Sequence, residues 1–379
     1  MQPLPKVAVV ILNWNGKKYL EQFLPALLQT TYPNSEFIVA DNNSSDQSVH
    51  FVKEKFPAVR IIQIAENEGF AKGYNTALKQ VQADIYVLLN QDVEVTPRWI
   101  EPVAEMFATN EKLAAVQPKL LAFHKKHEFE YAGAAGGFID WLGYAFCRGR
   151  FFQTMETDSG QYDDDIEIFW ASGACMFVRA DVYHQLGGLD ASFFAHHEEI
   201  DLCWRMKNAG YSAQYCHEST VYHVGGSSLP YGNPRKTYLN YRNNLIMMFK
   251  NYYSTFSAFI IFYRMVLDGV SAVKLFLTGH FKDVWAILMA HVYLYLNFKT
   301  IMQQRRETKK LVSEILTSAA SISGGVAGAR HKVLSDQGQT SKTAKEFSQL
   351  KGVYKNSIVF DYFFRRKKKF LELRKEDFE

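Results

Sequence analysis

Apolar positions along this chain alternate between two rhythms. Residues 6–12 (KVAVVIL) form a β-branched run that predicts a buried strand, and Asn13-Trp14-Asn15-Gly16 turns the chain at its end. Over residues 17–30, Tyr19-Leu20, Phe23-Leu24 and Leu27-Leu28 recur three to four positions apart, the spacing of one helix face. The pattern then repeats. A strand is expected over 37–40, a helix over 48–56, a strand over 59–64, a helix over 74–81 and a strand over 84–89. Alternation at this spacing predicts an α/β domain with a mainly parallel sheet flanked by helices on both faces.

In such sheets ligands gather at the carboxyl ends of the strands. The polar clusters fall there: Asn13 and Asn15 after the first strand, residues 41–46 (DNNSSD) after the second, Asn67 after the third, Asp92 after the fourth. Regularity breaks between about 115 and 230, where Gly-rich and aromatic stretches such as YAGAAGGFIDWLGYAF appear. Residues 236–300 read as apolar helices, but charges interrupt them and the longest run without Asp, Glu, Lys or Arg is 284–298. A span needs about 20 residues. Amphipathic helices in the core or at a membrane interface are therefore expected, with a membrane span as the second reading. The division expected is a catalytic domain over 1–235, a helical, membrane-interfacial region over 236–316, and a polar linker with a basic tail over 317–379.

Charge supports that division. Residues 1–300 carry 26 Lys and Arg against 30 Asp and Glu, whereas residues 301–379 carry 17 against 9. The net +4 thus lies in the tail, where an anionic lipid surface is the expected partner and nucleic acid is not. A solvated charge run is the alternative there. Mean hydropathy of −0.19 argues against a polytopic membrane protein. The four cysteines have no CxxC spacing, and the first sixteen residues lack a signal-peptide pattern. A cytoplasmic protein, peripheral at the inner face of the membrane, is the expectation.

Five segments are candidates for chemistry, each with a structural alternative. Asp92 in LLNQDV is placed to hold Mg²⁺ or Mn²⁺, or to cap a helix. DNNSSD offers Asp41 to a nucleotide, or makes an Asx turn. Residues 67–75 (NEGFAKGYN) open a helix whose N–H groups favour phosphate, or form a plain turn. In FFAHHEEIDLCWR, crowding of Glu198, Glu199 and Asp201 suits one carboxylate to general-base work, or the three offset a helix dipole. His223, before Gly225-Gly226, is either structural or completes a metal shell begun by Asp92.

The ordered series VVILNWNG, VADNNSSD, ENEGFAKGYN, LLNQDV, WASGACMFVR, GGLDASFFAHHEEIDLCWR and VYHVGGSS resembles the family 2 glycosyltransferases, over roughly residues 5–250. It is most similar to the rhamnosyl- and galactofuranosyl-transferase-like branch that builds bacterial surface polysaccharide. The resemblance implies a GT-A fold and inverting transfer from a UDP- or dTDP-sugar to a hydroxyl of a glycan or polyprenyl-linked acceptor. By motif, Leu12, Asn13 and Asp41 would hold base and ribose, and Asn67, Gly69 and Asn75 would line the nucleotide and diphosphate pocket. Gln91 and Asp92 occupy the DxD position, with Asp92 and His223 on a divalent ion. Trp170, Ser172, Gly173 and Ala174 would shape the sugar and acceptor subsite. Glu198 and Glu199 stand in place of the Glu-Asp pair whose second member is the base. Two departures are visible: Asn90 replaces the first DxD carboxylate, and Glu199 is one methylene longer than Asp. The first leaves a non-catalytic nucleotide-sugar-binding or scaffold protein as the alternative. A Rossmann dehydrogenase is disfavoured, since no G-x-G-x-x-G follows the first strand.

Overall fold

In a computed structural model, which describes residues 4–225, 233–323 and 347–378, the expected alternation is present. It runs β1 (Val7–Asn13), α1 (Lys17–Leu27), β2 (Ser35–Asp41), α2 (Ser48–Lys55), β3 (Arg60–Gln63), α3 (Gly69–Leu78) and β4 (Ile85–Asn90). Helix α3 begins five residues earlier than the apolar spacing indicated. Gly73 is tolerated inside it because Leu12 and Asn42 pack where a Cβ would stand, and Phe70 adds an edge-on contact to Tyr74. Strands β1 and β4 are apolar up to their last residues, Asn13 and Asn90, because helices cover both faces of the sheet; Val7, Val9, Val87 and Leu88 are fully buried.

The chain continues through β5 (Val93–Val95), α4 (Glu101–Thr109), β6 (Leu113–Ala122) and β7 (Lys125–Phe129). The Gly-rich aromatic stretch folds into short strands, β8 (Gly137–Asp140), β9 (Ala145–Cys147), β10 (Arg150–Phe151) and β11 (Thr154–Met155). Then follow β12 (Ile166–Ile168), β13 (Cys175–Arg179), α5 (Ala180–Gln185), α6 (Glu198–Asn208) and β14 (Ser212–His223). The main sheet has the order β12-β14-β6-β13-β4-β1-β2-β3. Its β3, β2, β1 and β4 are parallel, but β13 is inserted antiparallel to both β4 and β6. The nucleotide-binding strands are thus parallel and flanked by helices as expected, and β13, which turns back beside β4 through the 170–174 segment, makes the whole sheet mixed.

Helices α7 (Pro234–Asn251), α8 (Ser257–Leu277), α9 (Phe281–Leu296) and α10 (Phe298–Ser323) match the apolar helical region. Residues 347–378 depart from the expected basic tail. They include β15 (Val353–Tyr354), which adds parallel to β8, and α11 (Ile358–Phe363). Phe347 stacks on Trp204 and Tyr252, and Phe370 and Phe378 pack on Phe138 and Phe146. Burial of these rings holds the segment on the core despite its charge. Much of the expected linker (324–345) lies outside the described residues.

Candidate active site

The parallel register of β1, β2 and β4 brings their carboxyl ends level. Asn13 pairs with Asp41, and Leu12 pairs with both Ala40 and Asn90. Asn13 is fully buried, with its amide nitrogen 2.9 Å from Asp41 Oδ1, 3.0 Å from Ser44 Oγ and 2.8 Å from Ser48 Oγ. Its side-chain Oδ1 has no partner among the described residues. The Asp41 carboxylate also accepts from the Ser44 N–H, so DNNSSD is both an Asx turn and a strand-end acidic site. Next to it, the Asn42 amide donates to Asn67 Oδ1 and to the Gly69 carbonyl, while Asn42 Oδ1 accepts from the Glu68 N–H. Gly69 sits at φ +72°, and a Cβ there would meet the Phe194 ring at 2.6 Å. Gln91 Oε1 accepts from the Trp14 N–H, with the Trp14 side chain about half exposed beside it.

Asp92 follows β4, and His223 ends β14 opposite Val93. His223 Nε2 lies 3.2 Å from Asp92 Oδ1, and His223 Nδ1 lies 3.2 Å from Glu130 Oε1; all three side chains are buried. Burial opposes protonation of His223, but Glu130 and Asp92 outweigh it and push its pKa up to about 10. Among the described residues no three His, Cys, Asp or Glu side chains form a ready metal cage. Asp92 and His223 nevertheless fit a divalent ion that draws its other ligands from a diphosphate and water: the ion would replace the proton on His223 Nε2, between that nitrogen and Asp92, while Glu130 faces Nδ1. The last residues of VYHVGGSS (226–228) lie outside the described residues.

The candidate base stands on a strained segment. Phe194, His196 and His197 all have φ between +63° and +72°, immediately before α6. Phe194 O accepts from the Phe70 N–H, which ties this segment to the 67–69 loop. From α7, the Asn243 amide lies within 3.0 Å of the carbonyls of Phe193, Ala195 and His196. Strain of this kind persists only where surroundings hold it, and it gathers at functional sites. Glu198 and Glu199 open α6, each with one buried carboxyl oxygen that has no hydrogen-bond partner among the described residues. Burial raises both carboxyls, Glu199 to about 7, and at Glu198 the charges of Glu199 and Asp201 act in the same direction. Asp201 is structural instead. It accepts from Arg205, Lys250 and Asn251 and anchors α6 to α7. Burial keeps both histidines neutral, His196 lowered to about 4 and His197 to about 3.

The two halves meet at residues 170–174. The Asn90 N–H donates to Ala174 O, placing this turn alongside the strand that leads to Asp92. At Gly173 a Cβ would lie 3.2 Å from Phe70 and 3.9 Å from the Glu199 carboxyl carbon. Trp170 and Ser172 do not point into this space. The Trp170 ring packs on Gly137 and donates to Phe138 O, and Ser172 is held by Gln117 and Ala174. Asn75 is likewise committed, to Leu189 through both amide atoms and to the Tyr183 hydroxyl. These three shape the site from behind. A cavity of about 250 Å³ between Trp141, Tyr252, Phe256 and Phe347 holds none of the expected residues.

Sequence reasoning missed Glu130 and Asn243, which lie 38 and 151 positions from Asp92 and become neighbours of the site only through tertiary contacts. It also missed Arg235, whose guanidinium stacks on Phe194 at 4.7 Å, and Lys236, whose charge reaches His196. Asn233-Pro234, a helix-start signal directly before two cations, was the available clue.

Residues 8–187 match the model of glycosyl transferase family 2. The chain carries a family 2 glycosyl transferase domain. Relatives of this domain include the N-acetylglucosaminyl-diphospho-decaprenol L-rhamnosyltransferase of Mycobacterium tuberculosis, 24% identical over 230 residues, 57% of this chain and 75% of that protein. The O-antigen biosynthesis protein RfbC of Myxococcus xanthus is 26% identical over 210 residues, 54% of this chain and 16% of that protein. Among solved structures, GalNAc-T7 with UDP, GalNAc and Mn²⁺ has a TM-score of 0.56 at 13% identity, covering 78% of this chain and 58% of that one. That likeness identifies the fold, which is GT-A.

Proposed function

We propose that the family 2 domain catalyses inverting transfer of a sugar from a UDP- or dTDP-sugar to a hydroxyl of a lipid-linked glycan at the inner face of the cell membrane. The observation that carries this reading is the pairing of a buried, high-pKa carboxyl, Glu199, with Asp92 and His223 on the two sides of the 170–174 turn. The decaprenol-linked relative supports a polyprenyl acceptor, and the Mn²⁺ named with GalNAc-T7 is in keeping with a divalent ion.

Asn13 and Asp41 would engage the nucleoside, with Asn13 Oδ1, which has no partner among the described residues, accepting from it, and Trp14 offers a face for the base. Asp92 and His223 would hold Mg²⁺ or Mn²⁺, which supplies Lewis-acid neutralisation of the diphosphate charge. Arg235 and Lys236 at the start of α7 add cations on the same side. Glu199 takes the proton of the acceptor hydroxyl as that oxygen bonds to the anomeric carbon. The bond from the anomeric carbon to the diphosphate oxygen breaks on the opposite face, so configuration inverts in one displacement.

Calorimetric titration of UDP- and dTDP-sugars, with and without Mn²⁺, tests the reading. Saturable metal-dependent binding and slow release of nucleoside diphosphate are expected. Asp92→Asn should weaken donor binding by about tenfold or more. Binding without hydrolysis or transfer to any supplied acceptor would favour a non-catalytic binding protein. No binding at all would overturn the proposal.

A further inference from the structure

Helix α8 is built inside out. Its buried face carries Ile260 and Ile261 but also Arg264 and Asp268, while its outward stripe is Phe259, Phe262, Val266, Val270, Val273 and Leu277. The buried pair is well satisfied: Arg264 Nε donates to Asp268 Oδ1 at 3.0 Å, and its guanidinium stacks on Tyr144 at 3.7 Å. His291 of α9 lies 3.4 Å from the other Asp268 oxygen. Ionic groups therefore dock the helix on the catalytic domain, and the apolar side is left outside. Helix α9 repeats the arrangement, exposing Phe281, Trp285, Leu288, Val292 and Leu296 at spacings of three and four. Of the 25 exposed large apolar side chains among the described residues, 17 lie between 256 and 298. That density far exceeds the scattered apolar residues normal on a monomer surface.

The rim decides what covers this face. Between 256 and 298 the acids are Asp268, which is buried, and Asp283, which accepts from Thr237; the exposed charges are Lys274 and Lys282. Lys274 Nζ lies 5.2 Å from the Phe363 ring, joining α8 to α11. Helix α11 adds exposed Phe360, Phe363 and Phe364 and leads into Arg365-Arg366-Lys367-Lys368-Lys369. A second copy of the chain, docked symmetrically, would set these cations against each other. Phospholipid headgroups with negative charge match both parts at once. Among the described residues no single helix is long and apolar enough to cross a bilayer, and the α9–α10 pair reaches that length only with a 69° bend.

We infer that the α8–α9 hairpin and α11 form an in-plane docking face for an anionic lipid bilayer, the apolar stripes entering the headgroup boundary and the exposed Arg366 and Lys369 contacting lipid phosphates. The inference deepens the proposed function by naming the lipid surface and rests on that reading only for its purpose, since docking needs no sugar transfer.

Flotation of the purified full chain with phosphatidylcholine vesicles, with and without phosphatidylglycerol, is the test. The chain should float with the anionic vesicles, bind phosphatidylcholine alone at least tenfold more weakly, and be released by alkaline carbonate. Phe262→Ser with Trp285→Ser should cut binding at least tenfold. Replacing Arg366 and Lys369 by Glu should abolish the anionic preference. Unchanged melting temperatures keep folding separate from docking, because all four side chains are exposed. Equal flotation of wild type and variants overturns the inference. So does absence of flotation accompanied by a dimer that Trp285→Ser dissociates, or retention after carbonate. Donor titration on the same preparations reports on the proposed function independently.

Discussion

At Glu199 the reading reduces to one proton. A base must be ionised to accept it, and burial raises this carboxyl to about 7. Activity (kcat/KM) should therefore fall as pH drops through 7, tenfold per unit well below it. At Glu198 burial and the charges of Glu199 and Asp201 favour the neutral acid. Glu198→Gln imitates that neutral acid and should keep the acid limb in place, whereas Glu199→Gln should lose at least about 10²-fold in turnover while still binding donor. Pre-steady-state turnover across pH for the two variants separates them; equal losses would remove the distinction. Glu130 acts at one remove, as a positioning residue for His223. Glu130→Gln should raise the Mn²⁺ concentration for half-maximal donor binding by about 10- to 100-fold. The chain's order of residues exposed Asp92, Glu199 and His223 because each closes a short motif. Glu130 was illegible, since a lone Glu in KKHEFEYAG has no spacing that separates it from a surface carboxylate.

Elements show a similar division. The βαβ alternation over residues 6–90 was legible because buried parallel strands read as unbroken β-branched runs between amphipathic helices. The short strands from 137 to 155 were not, being too brief for a period to register. Residues 347–378 misled for another reason. Their rings at 347, 370 and 378 are spaced too irregularly to mark a helix or strand, and the run of five cations dominates the composition. Deleting 347–379 would bare Phe138, Phe146, Trp204 and the edge of β8. Loss of soluble expression, or a melting temperature lower by about 10 °C or more, is expected by scanning calorimetry. An unchanged melting temperature would make the segment dispensable. Helix α7 has a subtler part, because one amide, that of Asn243, serves three carbonyls of the strained 193–196 segment. Asn243→Leu should cost about 1–3 kcal/mol in unfolding. Turnover should fall more than donor affinity, since the base moves while the nucleotide loops stay tied through Asn42.

Across the whole molecule, the docking face and the site are linked through one short path. Asp283 on α9 accepts from Thr237 on α7, adjacent in sequence to Lys236, whose charge reaches His196 in the base-bearing segment. A bilayer held against α8 and α9 would thus lie beside the mouth where Arg235 and Lys236 stand, and an acceptor anchored by its lipid would diffuse in two dimensions instead of three. That gain acts on encounter and not on the chemical step, so it separates cleanly from catalysis. With a polyprenyl-linked acceptor in phosphatidylglycerol vesicles, Phe262→Ser with Trp285→Ser should lower kcat/KM by the same factor, at least tenfold, by which it weakens flotation. With a short-chain, water-soluble acceptor the same variant should match wild type, because neither side chain touches the reacting groups. Equal loss on both acceptors would mean that the hairpin supports the site itself, and the two-dimensional advantage would be rejected.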